Sequence, residues 1–178
     1  MKSLDTLIEQ RYSPYHFAEQ PVSQEQLQQL FEAAQHAPSS YNEQPWRFIY
    51  ATHDQPEAYQ QLLSCINESN RAWARQAYVL MLSLAKKHFS QTEKLNRHAW
   101  HDTGTAVGFL LLKATELDLY AHQMAGFFPD KARDVLNIPD EYDPVAMMAV
   151  GYLGKEERPN KPRKAVHEFA FTGDKSVL

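Results

Sequence analysis

The chain has 178 residues, 43% of them hydrophobic and 22% charged, which is ordinary for a soluble protein with one sizeable core. A net charge of −4 gives no sign of a nucleic-acid partner, and the apolar runs are too short to span a bilayer. The N-terminus lacks a signal-peptide pattern, and the single cysteine, Cys65, excludes an internal disulfide, so we expect a cytoplasmic protein. We expect neither membrane nor nucleic-acid partners.

The first half of the chain combines helical spacing of apolar residues with two strand-like runs. Ser23 and Gln26 form a capping box at the start of the second helix. That helix should end before Pro38, because proline disfavours helical geometry in the residue before it. The predicted elements are helices over residues 3–11, from 24 to before 38 and over 56–66, and strands over 46–51 and 78–85.

The second half predicts a long helix over 95–117, a strand over 119–124, a helix over 130–136 after Pro129, and a strand over 144–152. Gly104 and Gly108 within the long helix indicate close packing against another helix or a ligand. The sequence thus predicts an α+β domain over 1–178, with a basic C-terminal arm over about 155–178. The arm carries Val166, Phe169 and Phe171, so it either docks on its own core or wraps around a partner.

Two segments near the N-terminus carry groups suited to ligand binding. Arg11-Tyr12-Ser13-Pro14-Tyr15 places a guanidinium group and a hydroxyl next to each other, which suits a phosphate, although a solvated helix end would look the same. The string Ala37-Pro-Ser-Ser-Tyr-Asn-Glu-Gln-Pro-Trp46 concentrates hydroxyl and amide groups between prolines. Such a loop could hold the polar edge of a planar heterocycle, and the full string is more specific than any of its residues.

Two further segments follow later in the chain. Gln123-Met124-Ala125-Gly126-Phe127 lies where a strand gives way to a helix, and glycine there lets the backbone approach a ligand. An ordinary strand-to-helix turn explains this segment equally well. Lys161-Pro162-Arg163-Lys164 in the tail is either a solvated basic run or the second part of a phosphate site with Arg11 and Ser13.

Taken in order, R-x-S, A-P-S-S-x-N-x-Q-P-W, M-A-G-F and a C-terminal P-R-K resemble the nitroreductase family of FMN proteins, over residues 6–170. The resemblance implies an α+β homodimer with a central, mostly antiparallel sheet flanked by helices and with the C-terminal segment exchanged between subunits. It also implies two FMN sites at the dimer interface, each built from both chains.

The resemblance further implies the residues that contact FMN. Arg11 and Ser13, with Arg163 and Lys161, would hold the phosphate, and Pro38, Ser39, Ser40 and Asn42 would approach from the other subunit. Met124, Ala125 and Gly126 would lie along the isoalloxazine ring, with Asn70 and Arg71 near its pyrimidine side. Tyr12 and Tyr15 complete the predicted cofactor-binding set.

The implied activity is electron transfer from NADH or NADPH through FMN to a small organic acceptor, such as a nitroaromatic or a quinone, by a ping-pong mechanism. The cofactor supplies the chemistry, so no catalytic side chain is predicted. The alternatives are a dehalogenase or an enal or semialdehyde reductase of the same family, and a flavin storage or sensor protein without steady turnover. His98 and His101 have metal-pair spacing but lack a third ligand, so no metal site is predicted.

The chain departs from the family pattern in two places. Tyr15 stands where many members have a cation. Less positive charge would then face the reduced flavin ring, which predicts a lower flavin reduction potential. Arg71 or Arg75 could replace the missing cation. The stretch between Ala85 and Trp100 is short compared with larger relatives, which predicts a more open pocket. The candidate pocket walls are Trp100, Tyr41, Phe127 and Phe128.

Overall fold

The computed structural model describes residues 2–173 and contains six α-helices and four strands in this part of the chain. The helices are α1 (Leu4–Gln10), α2 (Gln24–Gln35), α3 (Pro56–Cys65), α4 (Glu68–Ala74), α5 (Ala99–Glu116) and α6 (Pro129–Leu136). The strands are β1 (Trp46–Thr52), β2 (Val79–Lys86), β3 (Leu119–Met124) and β4 (Tyr142–Tyr152). No helix among these residues is long and apolar enough to cross a membrane.

The four strands form one sheet in the order β1-β2-β4-β3, and every neighbouring pair is antiparallel. This confirms the predicted α+β class with an antiparallel central sheet. β1 and β3 are the two edge strands. The loop before β1 and the turn after β3 therefore lie at opposite edges of the sheet.

Both faces of the sheet are covered, as the apolar residues on both faces of β2 predict. Alternate side chains of β2 enter two different clusters: Leu80 and Leu82 pack towards α3, α4 and α6, whereas Val79 and Met81 pack towards α2 and α5. Met147 and Met148 of β4 divide in the same way. The central strands thus belong to two apolar layers, and this fixes the positions of the loops at their ends.

The structure corrects the predicted elements in three places. Helix α4 was not predicted, although Asn67 caps it by accepting a hydrogen bond from the Asn70 N–H at 3.0 Å. Helix α5 begins at Ala99 rather than at Leu95, because Leu95 is extended and bridges His88. Strand β4 begins two residues before Pro144, so a proline lies within the strand. The proline is tolerated because the β2–β4 register shifts there and because β3 pairs with β4 only from Met147 onwards.

Several apolar surfaces have no cover within residues 2–173. Helix α1 is capped by Ser3 and is one residue shorter at each end than predicted. It buries none of its residues, and Leu4 and Ile8 are exposed. On α5, Phe109 is exposed, and a Cβ added to Gly104 or Gly108 would meet no atom within 4 Å. The predicted close packing at these two glycines is therefore not made by the described residues of a single chain.

The C-terminal arm is also uncovered. After Glu156 every described residue of the arm is exposed, including Val166, Phe169 and Phe171. Of the two predicted alternatives, docking of these three side chains on their own core is wrong. The predicted wrapping around a partner stays a prediction.

Candidate functional site

The predicted phosphate-binding residues come together in one cavity of about 590 Å³. Its walls include Arg11 and Ser13 from the segment after α1, and Lys161 and Arg163 from the arm. Arg158, which was not predicted, also lines it. Burial and the nearby guanidinium groups of Arg163 and Arg158 lower the pKa of Arg11. Positive groups that are partly buried together favour the binding of an anion, since an anion relieves their mutual repulsion.

The first part of the arm is tied to the N-terminal segment by Glu156. Its Oε2 accepts hydrogen bonds from the N–H groups of Tyr15 at 2.9 Å and His16 at 2.8 Å, and lies 2.9 Å from the His16 ring nitrogen. Burial opposes ionisation of Glu156, but these hydrogen bonds outweigh it, so its pKa is lowered. Arg158 donates to the Glu9 carbonyl and lies 5.3 Å from the centre of the Tyr12 ring. The cationic cavity is therefore built by contacts within one chain.

Tyr12 forms part of the floor of this cavity. It is buried, and its ring meets the ring of Tyr120 on β3 edge-on at 5.2 Å. Burial and the nearby Glu156 carboxylate raise the pKa of Tyr12 to about 12. Tyr12 is consequently a neutral wall at physiological pH, and the positive charge of the cavity comes from the arginine and lysine side chains.

An aromatic cluster connects the cationic cavity to the end of β3. The ring of Tyr15 meets those of Trp73 at 5.1 Å and His122 at 4.8 Å, and Lys161 Nζ lies 5.9 Å from its centre. His122 Nδ1 lies 2.8 Å from the Pro14 carbonyl oxygen, so that nitrogen donates its proton. Burial lowers the pKa of His122 despite this hydrogen bond. Tyr15 and His122 together form an aromatic surface without a full positive charge, two residues before Met124.

The turn after β3 lies against α4. The Gly126 carbonyl accepts hydrogen bonds from the Asn67 N–H at 3.1 Å and from Asn70 Nδ2 at 3.2 Å. A Cβ at Gly126 would overlap both asparagine side-chain amides, so a side chain here would have to displace the hydrogen-bonded Asn70 amide. The Arg71 side chain is instead engaged with the Ile66 carbonyl, to which its Nε and Nη2 donate hydrogen bonds at 3.2 and 2.8 Å. Asn70 and Gly126 are thus brought together, whereas Arg71 is engaged in a backbone contact.

The predicted hydroxyl and amide loop, residues 38–45, forms the second part of the site and begins the opposite edge strand. Ser39 Oγ accepts a hydrogen bond from the Gln44 N–H at 2.9 Å, and the Ser40 N–H donates to the buried Asp102 carboxylate on α5 at 2.8 Å. Tyr41, Asn42 and Gln44 have positive φ angles of 52°, 55° and 50°. Three non-glycine residues in four positions thus adopt an uncommon left-handed conformation, which costs each about 1–3 kcal/mol.

The two parts of the predicted site do not meet within one chain. Residues 38–45 lead into β1, whereas Met124, Ala125 and Gly126 end and follow β3, so three interstrand spacings, about 14 Å, separate them across the sheet. Pro38 and Asn42 are exposed at one edge, and Ala125 is exposed at the other. Within one chain the predicted site is therefore divided between the two edges of the sheet.

Several site residues escaped sequence reasoning. Arg158 and Glu156 belong to an arm whose path is not encoded by a local pattern. Trp73 lies on α4, which was itself missed, and the Asn67-x-x-Asn70 cap was the available signal for that helix. Of the predicted pocket walls, Phe127 pairs with Ile66, and Trp100 donates a hydrogen bond to Asp143 Oδ2 at 3.1 Å.

The histidine pair does not form a metal centre among the described residues. The rings of His98 and His101 lie 6.5 Å apart, and residues 2–173 contain no group of three or more histidine, cysteine, aspartate or glutamate side chains arranged to hold a metal ion. Nδ1 of His101 instead lies 2.9 Å from Oδ1 of Asp102.

The chain has an α+β fold with one antiparallel sheet, and comparison with known proteins identifies its family. The sequence model of the nitroreductase family matches residues 8–79 and 53–152, so the chain belongs to the nitroreductase family. A crystal structure described as an oxidoreductase containing FMN superposes with a TM-score of 0.91 at 32% identity, covering 99% of this chain and 95% of that one.

Two curated relatives have named activities. An NADH dehydrogenase of Thermus thermophilus is 26% identical over 182 residues, which cover 84% of this chain and 86% of the relative. A nitrobenzene nitroreductase of Ectopseudomonas oleovorans is 39% identical over 69 residues, which cover 39% of this chain and 29% of the relative. The chain is thus a nitroreductase-family oxidoreductase.

Proposed function

We propose that two copies of this chain bind two FMN molecules between them and transfer electrons from NADH or NADPH to a small organic acceptor by a ping-pong mechanism. The acceptor would be a nitroaromatic, a quinone or a similar compound. The observation that carries this proposal is the placement of two complementary half-sites at opposite edges of one sheet. A second copy would bring the 38–45 loop of one chain to the cationic cavity and β3 turn of the other.

The residues present fit FMN. The cavity around Arg11, Ser13, Lys161 and Arg163 combines positive charge with a hydroxyl, as a phosphate monoester requires. The aromatic surface of Tyr15 and His122 continues from it towards the turn at Gly126. The FMN content of the structural relative with a TM-score of 0.91 supports the same ligand.

The surfaces that lack cover support the second copy. The exposed faces of α1 and α5 and the apolar arm would be buried by association, and an uncovered apolar surface is a common sign of a protein interface. The arm beyond Arg163 would cross to the second copy, placing Val166, Phe169 and Phe171 against it.

Bound FMN would supply the redox chemistry, taking electrons from the nicotinamide and passing them to the acceptor in a second step. The chain's residues act by binding and orientation. Arg11, Lys161 and Arg163 anchor the phosphate, and the Gly126 turn and the 38–45 loop set the position of the ring. Because Tyr15 and His122 are neutral, they contribute no full positive charge beside the ring.

The test begins with an absorbance spectrum of the purified protein, followed by anaerobic addition of NADH or NADPH. We expect flavin bands that bleach promptly and recover when a nitroaromatic or quinone is added. Flavin bands that persist after both nicotinamides would contradict the reductase and favour flavin storage or sensing. A colourless protein that does not take up added FMN would overturn the flavin site itself.

A further inference from the structure

A second cavity of about 600 Å³ lies beside the 38–45 loop, away from the cationic cavity. It opens between that loop and residues 89–95, the short stretch that joins β2 to α5. Its walls include Tyr41, Asn42, Phe89, Thr92, Lys94 and Leu95. A volume of this size suits a small organic molecule. The cavity shares Asn42 with the predicted flavin site, so the two sites are adjacent.

Hydrogen bonds join the two walls of this cavity. Glu43 accepts hydrogen bonds from the Ser90 N–H at 3.0 Å and from the Ser90 hydroxyl at 2.6 Å. Lys86 Nζ also donates to Ser90 Oγ at 2.6 Å and lies 3.8 Å from the Glu43 carboxylate. Because these contacts cross from one wall to the other, the cavity is a built feature rather than a gap between independent loops.

Apolar rings and side chains form one side of the cavity. Residue Tyr41 is 92% exposed, and its ring meets the Phe89 ring edge-on at 5.6 Å. Leu95 is 62% exposed although it is apolar. Tyr41 is held in this outward position by a backbone φ of 52°, a strained conformation for a non-glycine residue. This loop conformation therefore leaves an aromatic side chain exposed at the cavity.

The cavity wall carries two charged residues, Glu43 and Lys94. Glu43 already pairs with Ser90 and Lys86, and these hydrogen bonds and positive charges lower its pKa although its burial opposes ionisation. Lys94 is the remaining charged residue of the wall, and its ammonium group makes no ion pair with the described residues. An anionic group on a ligand would therefore find one uncommitted cation here.

We propose that this cavity is the acceptor site, and that it selects planar aromatic acceptors carrying an anionic substituent. Tyr41 and Phe89 would contact the aromatic ring, and Lys94 would bind the anionic group. This inference rests on the proposed function, because the flavin that reduces the acceptor would lie beside Asn42.

The test compares 4-nitrobenzoate with nitrobenzene, two acceptors that differ by one carboxylate. In the flavin-loaded protein, we expect Lys94→Gln to raise the KM for 4-nitrobenzoate about tenfold and to leave that for nitrobenzene unchanged. Tyr41→Ala should raise the KM for both acceptors several-fold, on the order of fivefold, because it removes the ring contact. Lys87→Gln removes a cation from the same stretch outside the cavity and should change neither value.

Calorimetric binding of benzoate provides a second readout that needs no turnover. We expect benzoate to bind the wild-type protein and the Lys87→Gln variant, and to bind Lys94→Gln about tenfold more weakly. Unchanged KM and benzoate affinity in both cavity variants, with flavin that still bleaches, would overturn the acceptor site and leave the proposed function standing. Failure of the wild-type flavin to bleach would overturn the proposed function, while benzoate binding would still decide whether the cavity takes an aromatic anion.

Discussion

The two halves of the site are stabilised in different ways. The cationic half gathers Arg11, Arg158 and Arg163 around a cavity whose positive groups repel one another, and Glu156 and Arg158 tie its two segments together. The 38–45 loop is instead held by hydrogen bonds from Ser40 to Asp102 and from Ser90 to Glu43, which sustain a strained backbone.

This difference indicates what each half requires from a ligand. The cationic half gains stability when an anion binds, because the anion offsets charge repulsion that the folded chain would otherwise retain. The loop is preorganised and needs no ligand to keep its shape. Loss of FMN should therefore loosen the arm far more than the loop.

The largest expected effect comes from the cationic half. Arg11→Ala should weaken FMN binding on the order of 100-fold, since it removes charged hydrogen bonds worth about 1.5–3 kcal/mol each. Riboflavin, which lacks the phosphate, should bind both proteins equally. Fluorescence titration with both flavins measures this, and Lys164→Ala, a charge outside the cavity, is the control. Equal losses for FMN and riboflavin would show that Arg11 supports the fold rather than the phosphate.

The second effect concerns the surface between copies. Gly104→Leu places a large side chain on a helix face that none of residues 2–173 covers, so the isolated fold should be retained. If a second copy packs there, the variant should shift to monomer and lose FMN binding by about tenfold or more, since overpacking typically costs 1–3 kcal/mol. Sedimentation velocity measures the oligomeric state, and Glu25→Leu on the exposed side of α2 is the control. A dimer of unchanged stability would place the interface elsewhere.

A smaller effect is expected at Tyr15. Tyr15→Arg would add a cation beside His122 and raise the flavin reduction potential, because positive charge favours the electron-rich reduced ring. About 1 kcal/mol of such stabilisation corresponds to roughly 20 mV for a two-electron couple. Spectroelectrochemistry measures the shift, with Tyr15→Phe as the uncharged control. A potential that stays the same or falls would show that Tyr15 does not lie beside the flavin ring.

The smallest effect is the pH dependence set by Glu156. Its pKa is lower in the folded protein than its ordinary value of 4.5, so its ionised form stabilises the fold above that value. This stabilisation should be lost as the pH falls below 4.5 and through the folded pKa. Thermal unfolding between pH 7 and pH 3 should therefore show a flatter acid limb for Glu156→Gln than for the wild type. Parallel curves would show that the Glu156 hydrogen bonds add no net stability.

Local patterns predicted most of the fold. The capping box of Ser23 and Gln26, Pro56 and Pro129 at helix starts, and the apolar run of β2 each act within a few residues, so their outcomes are readable in sequence. Helix α4 was missed because it is short and buries only Ala74. Likewise, Leu95 has helical spacing but is extended, because pairing with His88 outweighs its local preference.

The residues of the candidate site were predictable only where they belong to a sequence motif or to the family resemblance. Arg11 and Lys161 are 150 positions apart, and nothing in either segment alone specifies that they share a cavity. Contacts such as Tyr15 with Trp73, or Tyr41 with Phe89, depend on tertiary packing across unrelated segments. The separation of the half-sites at opposite sheet edges follows from strand order, which sequence patterns did not determine.

That separation has a genetic consequence. If each flavin lies between two chains, an Arg11→Ala chain and a chain with a damaged 38–45 loop are each inactive alone. A mixed dimer places both defects in one site and leaves the other intact, so random pairing of the two chains should restore about one quarter of the sites. Two loss-of-function alleles from opposite edges of the sheet should then complement each other, whereas two alleles from the same edge should not.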